Sequence, residues 1–235
     1  MSSRVKAKQA NRMVREQLAR EQRRRRTIIV SIVAAAVLVV AGLIGWGIYA
    51  NQAPPSTFAV PTHVGKDNTT VPVSSGSATV DIYLDFLCPA CQQFETNVSA
   101  TLDDMAAKKK ITLVYHPIAI LDDKTNPPGY STRSGSAAGC AADANKFGEY
   151  LKALYAKQPK EGSAGLTNDQ LVEIGAGVGL TDDTFATCVR DEKYASWMAH
   201  NTEVAAGRNI NGTPTVLVNG KQIQPTLNDL TRAVG

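Results

Sequence analysis

Apolar residues in this chain recur in three patterns, and each predicts a different element. The first is an unbroken run, "TIIVSIVAAAVLVVAGLIGWGIYA", Thr27 to Ala50, with no charge in 24 residues. As a helix rising about 1.5 Å per residue it would reach roughly 36 Å, enough to cross a hydrocarbon core of about 30 Å with some tilt. The second pattern is the short β-branched and aromatic run, seen in "TVDIYLDFL" (79–87) and "ITLVY" (111–115). The third is the helical stripe. Phe94, Val98, Leu102 and Met105 recur at helical spacing after Pro89, a residue suited to a first helical turn. Strand, helix and strand over so short a stretch predict a βαβ unit with a parallel pair.

From Pro117 to Asn211 the pattern is mainly helical. Cys140, Ala144, Phe147, Leu151 and Leu154 share one stripe and predict a single helix through them. Thr167 with Gln170 three residues on reads as a capping box, and further helices are expected over 182–190 and 192–206. "GTPTVLVNGKQIQ" then predicts two strands joined at Asn219–Gly220, and "TLNDLTRAV" a last short helix. The order is βα-β, a helical block over about 117–211, then β-hairpin-α. That is an α/β sandwich of thioredoxin type, spanning 79–235 and interrupted by a helical insertion. Ahead of it, residues 51–78 are rich in Pro, Ser, Thr and Gly and read as an extended tether with one short edge strand. The tether is too short for a dimerisation domain, so a monomer is expected.

Charge changes the picture at the N-terminus. Residues 1–26 hold ten Lys/Arg against two Glu, an excess of +8 in a chain whose net charge is +4, so the remainder sums to −4. Beside a span at 27–50, this basic segment reads as a topology signal rather than a nucleic-acid arm. It places the N-terminus in the cytoplasm and everything after residue 50 outside, in a single-pass membrane protein. A cleaved signal peptide is the alternative. The length of the apolar run and the long basic leader favour a retained anchor.

All four cysteines fall in the portion expected outside, where thiols pair or do redox chemistry. Cys88 and Cys91 form C-P-A-C. Zinc is disfavoured, because Cys140 and Cys188 stand far apart and His63, His116 and His200 are scattered. A purely structural Cys88–Cys91 bridge would close a tiny loop and remove little unfolded-state entropy. The position argues for chemistry. Cys88 sits at a strand-to-helix junction, where free backbone N–H groups favour an anion, while Cys91 lies on the core-facing stripe. One sulfur is activated and the other held back to resolve, as thiol–disulfide exchange requires.

With these residues in view, "DFLCPAC", the helical insertion and the later "GTPT" ahead of a strand resemble the DsbA-like thiol–disulfide oxidoreductases, in the membrane-anchored form of actinobacterial envelopes. The resemblance covers roughly 79–235. It implies that Pro214 is a cis-proline facing the dithiol, preceded by Thr213, and that Pro89 and Ala90 tune the couple. Where the most oxidising members carry histidine between the cysteines, this chain has Ala90, so a less oxidising couple is expected, stabilised by the helix terminus and backbone. Where many relatives keep an acid six residues before the first cysteine, this chain has Ile82. Asp81 or Asp85 could shuttle a proton to Cys91, although a hydrogen-bonded turn aspartate is the commoner role for such a residue. His116 reads more readily as a packing residue than as a redox partner. Cys140 and Cys188 are expected to face the interior and form an inert structural bridge, worth about 4 kcal/mol in the loop-entropy model.

The function expected is extracytoplasmic oxidation of exported proteins by thiol exchange. No cofactor is implied, since the chemistry is sulfur's own. Reduced exported proteins would be the substrates, and a membrane protein of vitamin K epoxide reductase or DsbB type would regenerate the bridge. A reductase or isomerase on the same scaffold, or a non-enzymatic holdase, are the alternatives.

Overall fold

The computed structural model describes residues 58–235. The expected anchor at 27–50, the basic segment 1–26 and residues 51–57 of the tether lie outside the described residues. Among the described residues no helix is long and apolar enough to cross a membrane.

The centre of the domain is a mixed sheet in the order β1-β3-β2-β4-β5. Strand β2 (Ala78–Leu84) runs parallel to β3 (Ile111–Pro117), with Ala78 opposite Ile111 and Leu84 opposite Pro117. A parallel pair needs a crossover, supplied by helix α1 (Pro89–Ala107). Val80, Ile82 and Leu84 of β2 and Ile111, Leu113 and Tyr115 of β3 are buried, as are Phe94, Val98 and Leu102 of α1. Alternation along the strands sends Asp81 and Tyr83 to the other side, where Tyr83 and Ile118 pack with Ala205. Strand β4 (Thr215–Val218) runs antiparallel to β2 and turns at Asn219–Gly220 into β5 (Lys221–Ile223). Both turn residues have positive φ, 50° and 79°, which an Asn-Gly pair accommodates. Helix α7 (Leu227–Val234) closes the chain.

Five α-helices lie between β3 and β4, after a short 3-10 turn at Asp122–Lys124: α2 (Tyr130–Asp143), α3 (Phe147–Ala156), α4 (Asn168–Ala176), α5 (Asp183–Arg190) and α6 (Ala195–Gly207). Helix α2 is their core, and its small residues Ser131, Ser134, Ala137, Ala138 and Ala141 are buried. The capping box at α4 is complete: Thr167 accepts from the Gln170 N–H, and the Gln170 side chain accepts from the Thr167 N–H. Cys140 of α2 and Cys188 of α5 are joined in a disulfide, 48 residues apart in sequence.

Four sequence expectations need correction. The first strand stops at Leu84, because the Asp85 carboxylate accepts from the Leu87 N–H and bends the chain. Phe86 and Leu87 are buried from a turn, not from a strand. The stripe from Cys140 to Leu154 belongs to two helices. Asn145, at φ 54°, ends α2, with the Lys146 N–H reaching back to the Ala141 carbonyl. The helix expected over 192–206 starts at Ala195, because Glu192 adopts φ 46°. Finally, residues 58–77 are not a free tether. Phe58, Val60 and Val64 pack on the core, Val71 is buried, and the Trp197 indole donates to the Asn68 carbonyl at 2.6 Å. The short edge strand is present as β1 (Val71–Pro72), antiparallel to β3.

Replacing Cys140 and Cys188 together by alanine should lower stability by about 2–4 kcal/mol, the range for opening a loop of this size. Denaturant unfolding should show the loss, while thiol exchange at Cys88 should persist in the folded variant.

Candidate functional site: the Cys88–Cys91 dithiol

The turn at Asp85 to Leu87 delivers Cys88 to the N-cap of α1. Its φ and ψ of −70° and 115° are the extended values expected before a proline, and Pro89 opens the helix. The Cys88 carbonyl accepts from the N–H groups of Cys91 (3.1 Å) and Gln92 (3.2 Å). Both thiols are unbridged and largely enclosed, Cys88 6% exposed and Cys91 2%, whereas Pro89 and Ala90 between them are exposed. Opposite lies the cis peptide bond of Thr213–Pro214, and the Cys88 thiol donates to the Thr213 carbonyl at 3.3 Å. Residues 125 positions apart are thus brought into contact.

The two sulfurs differ sharply in acidity. Cys88 is lowered from an ordinary 9.0 to about 6. The largest cause is a hydrogen bond from the Cys91 thiol; burial opposes it, and the Thr213 hydroxyl and the N–H groups of Cys91 and Ala90 add to it. Helix terminus and backbone were the donors expected from sequence, yet two side chains act ahead of the backbone. Thr213 Oγ1 is buried and has no hydrogen-bond partner among the described residues, so it is free to turn to a thiolate. Cys91 moves the other way, pushed far above its ordinary value by burial and by its bond to Cys88.

Asp85, Ile82 and the histidines also find their places. Ile82 is buried in the core, and Asp81 on the other face of the sheet pairs with His116 at 2.9 Å. The His116 ring stacks on Tyr83 at 4.0 Å, while His63 bonds the Ala142 carbonyl and His200 packs on Phe58. Asp85 is fully buried and accepts from the Leu87 N–H (2.8 Å), the Leu121 N–H (2.9 Å) and the Ser131 hydroxyl (2.7 Å). Burial raises it to about 6 against those bonds.

Three further residues grip the site, and sequence reasoning missed them. The Gln158 amide donates to the carbonyls of Phe86 and Cys88, both at 3.0 Å. The Gln92 amide donates to the Tyr155 carbonyl at 2.6 Å, and the Tyr155 hydroxyl to the Asp85 carbonyl at 3.2 Å. The end of α3 thereby clamps the C-P-A-C turn from the insertion side. Nothing in the local pattern of "YAKQPKEG" signals this, because the partners are 63 to 72 residues away.

A low-acidity buried thiol beside an activated one at a helix N-terminus, in contact with the residue before a cis-proline at the end of a five-stranded sheet, is the arrangement of the DsbA-like thiol–disulfide oxidoreductases. The chain belongs to the thioredoxin family, whose model Thioredoxin_4 matches residues 69–235. It is similar to the solved DsbA of Mycobacterium tuberculosis in its reduced form, at 29% identity over 72% of this chain and 82% of that one, with a TM-score of 0.56. The reduced disulfide bond oxidoreductase DsbG of the same organism is 31% identical, over 72% and 77%, also at 0.56. The serine/threonine-protein kinase PknE of M. tuberculosis is 32% identical over 168 residues, which are 67% of this chain. The match takes in only 30% of PknE, so the chain spans under a third of that curated relative.

Thiolate absorbance near 240 nm should titrate at about pH 6 in the reduced protein. In C91A it should move up by on the order of one pH unit, because the largest donor is gone. Cys91→Ser, which keeps a donor, should restore most of the wild-type value, and Thr213→Val should give a smaller rise. The sign for stability follows from a depressed thiol. Its contribution to the reduced fold is full above the unfolded value of about 9, shrinks as pH falls, and is gone below about 6. Unfolding of the reduced protein against Cys88→Ala across pH 5–9 measures it.

Proposed function

We propose that this protein is a membrane-anchored, extracytoplasmic oxidase of protein thiols that works through the Cys88–Cys91 bridge. The observation that carries the reading is the strengthened acidity of Cys88, at the start of α1 and against Thr213, beside the weakly acidic Cys91. A substrate thiolate attacks Cys88 Sγ, the bridge opens, and Cys91 leaves. A second substrate thiol then attacks the mixed disulfide and releases Cys88 as a stable thiolate, with substrate oxidised and the dithiol reduced. Thr213, half-buried beside Cys88, is where an extended substrate segment adds as a strand. Pro89 and Ala90 form the outward surface of the turn.

The energetics of Cys88 support this direction. A thiol at about 6 is mostly ionised at pH 7. Relative to an unshifted thiol this favours the reduced form by a factor of ~10, equal to ~30 mV in a two-electron couple. The shift pushes the couple toward oxidation, and without a histidine at Ala90 only moderately. The charge-free run at 27–50 behind ten basic residues supports an anchor with the domain outside the cytoplasm. In that setting the substrates are reduced exported proteins, and a membrane partner of vitamin K epoxide reductase or DsbB type takes the electrons. The protein acts as a monomer.

The reduction potential should fall between about −270 mV, the value of thioredoxin, and about −120 mV, that of DsbA. The oxidised protein should refold a reduced, disulfide-requiring substrate, and Cys88→Ser should abolish this. A potential at the thioredoxin end without oxidase activity would overturn the reading in favour of a reductase.

A further inference from the structure

The Cys88 carbonyl receives more donors than it has lone pairs. The N–H groups of Cys91 (3.1 Å) and Gln92 (3.2 Å) point at it from the first turn of α1, and the Gln158 amide reaches it from the insertion at 3.0 Å. A carbonyl oxygen carries two lone pairs, so three donors share it and each bond is weaker than it would be alone. One of the three has a second acceptor within reach. The Cys91 N–H also acts on the Cys88 sulfur, as does that of Ala90. Whatever loosens its hold on the carbonyl leaves it to the sulfur.

Gln158 is fixed in place for this. Its side-chain nitrogen donates to two carbonyls at once, those of Phe86 and Cys88, both at 3.0 Å, so both amide hydrogens are used. The opposite orientation would set its own oxygen against two others, so the amide faces the turn in one sense only. Its backbone is pinned as well. The Gln158 N–H bonds the Tyr155 carbonyl at 3.3 Å, and that same carbonyl accepts from the Gln92 side chain at 2.6 Å. Pro159 follows and disfavours helical backbone at Gln158, just past the end of α3. A half-buried residue 70 positions away thus holds the carbonyl of the reacting cysteine itself.

We propose that Gln158 is a positioning residue of the exchange: by occupying the Cys88 carbonyl, it releases the Cys91 N–H to the Cys88 sulfur. This rests on the thiol-exchange reading above. With the bridge closed, Cys88 Sγ is neutral and the Cys91 N–H stays on the carbonyl. When the second substrate thiolate attacks the mixed disulfide, the bond between Cys88 Sγ and the first substrate sulfur breaks. Its electron pair goes to Cys88 Sγ, and the substrate leaves as a disulfide. The Cys91 N–H turns to the new thiolate, while the Gln158 amide keeps the carbonyl satisfied. Neither donor gives up its proton. The insertion enters the chemistry through this one hydrogen bond.

The test compares wild type with Gln158→Met, close in size but without donors, both as full-length protein. In reduced Q158M the thiolate absorbance of Cys88 should titrate about half a pH unit higher. At neutral pH this weakens the preference for the reduced form by about threefold, a fall of about 15 mV in reduction potential. Denaturant unfolding is run alongside. A residue that only staples the insertion would lower stability and leave titration and potential where they were; that result in folded Q158M overturns the proposal. A second readout needs no variant. In ¹⁵N-labelled wild type, the Cys91 N–H and the Gln158 side-chain N–H signals should both move downfield in the step that ionises Cys88. A Gln158 amide indifferent to that step overturns the proposal as well. If wild-type Cys88 ionises only near the ordinary 9.0 and the protein oxidises no substrate, the exchange reading itself fails. That outcome is separate from an active wild type with an indifferent Q158M.

Discussion

The whole site depends on one buried carboxylate accepting hydrogen bonds from three separate segments. Asp85 ties the turn before Cys88 (Leu87), the loop after β3 (Leu121) and the start of α2 (Ser131). An anion with no cation beside it is expensive to bury, and those three donors are what make it tolerable. The return is geometric. The strand stops at Leu84, the chain turns at once, and Cys88 arrives at the helix start with its own N–H bonded to the Asp85 carbonyl at 3.0 Å. A helix beginning a residue earlier or later would move Cys88 off the N-cap and away from Thr213.

The helical insertion is part of this arrangement and not an ornament on it. Through Gln158, Gln92 and Tyr155 the end of α3 holds the carbonyls and the first turn that frame the dithiol. The Cys140–Cys188 bridge, between α2 and α5, stiffens the insertion at a distance from the reacting sulfurs. The fold thus uses sulfur in two ways: one pair joins distant chain segments, and the other is left unbridged with unequal acidity.

Much of this could be read from the residues. The βαβ unit, the capping box at Thr167 and the hairpin at Asn219–Gly220 rest on local period and turn chemistry, which sequence displays directly. Cys88 and Cys91 were legible from spacing and residue type, whereas Thr213 and Pro214 stood out only through the resemblance to the DsbA-like family. The failures share a cause. Phe86 and Leu87 look like strand because they are apolar, yet they are buried through a turn set by a side chain. Asn145 breaks a stripe that periodicity carries straight on. Glu95 looks like an ordinary helix-surface charge, and only the packing of α3 and β3 encloses it. Gln158 has no local signature at all, since its partners come from the other side of the domain.

The chemistry of the clamp has a consequence for how the site responds to its surroundings. The donors supplied by Gln92 and Gln158 are neutral amides, and that of Tyr155 is a phenol that burial keeps protonated. None of these bonds weakens with ionic strength, and none is lost in moderate acid. The clamp from α3 therefore keeps its shape as salt and moderate acid vary, while Asp85, raised to about 6, and the thiol of Cys88 respond to pH. Rigidity and responsiveness are assigned to different residues.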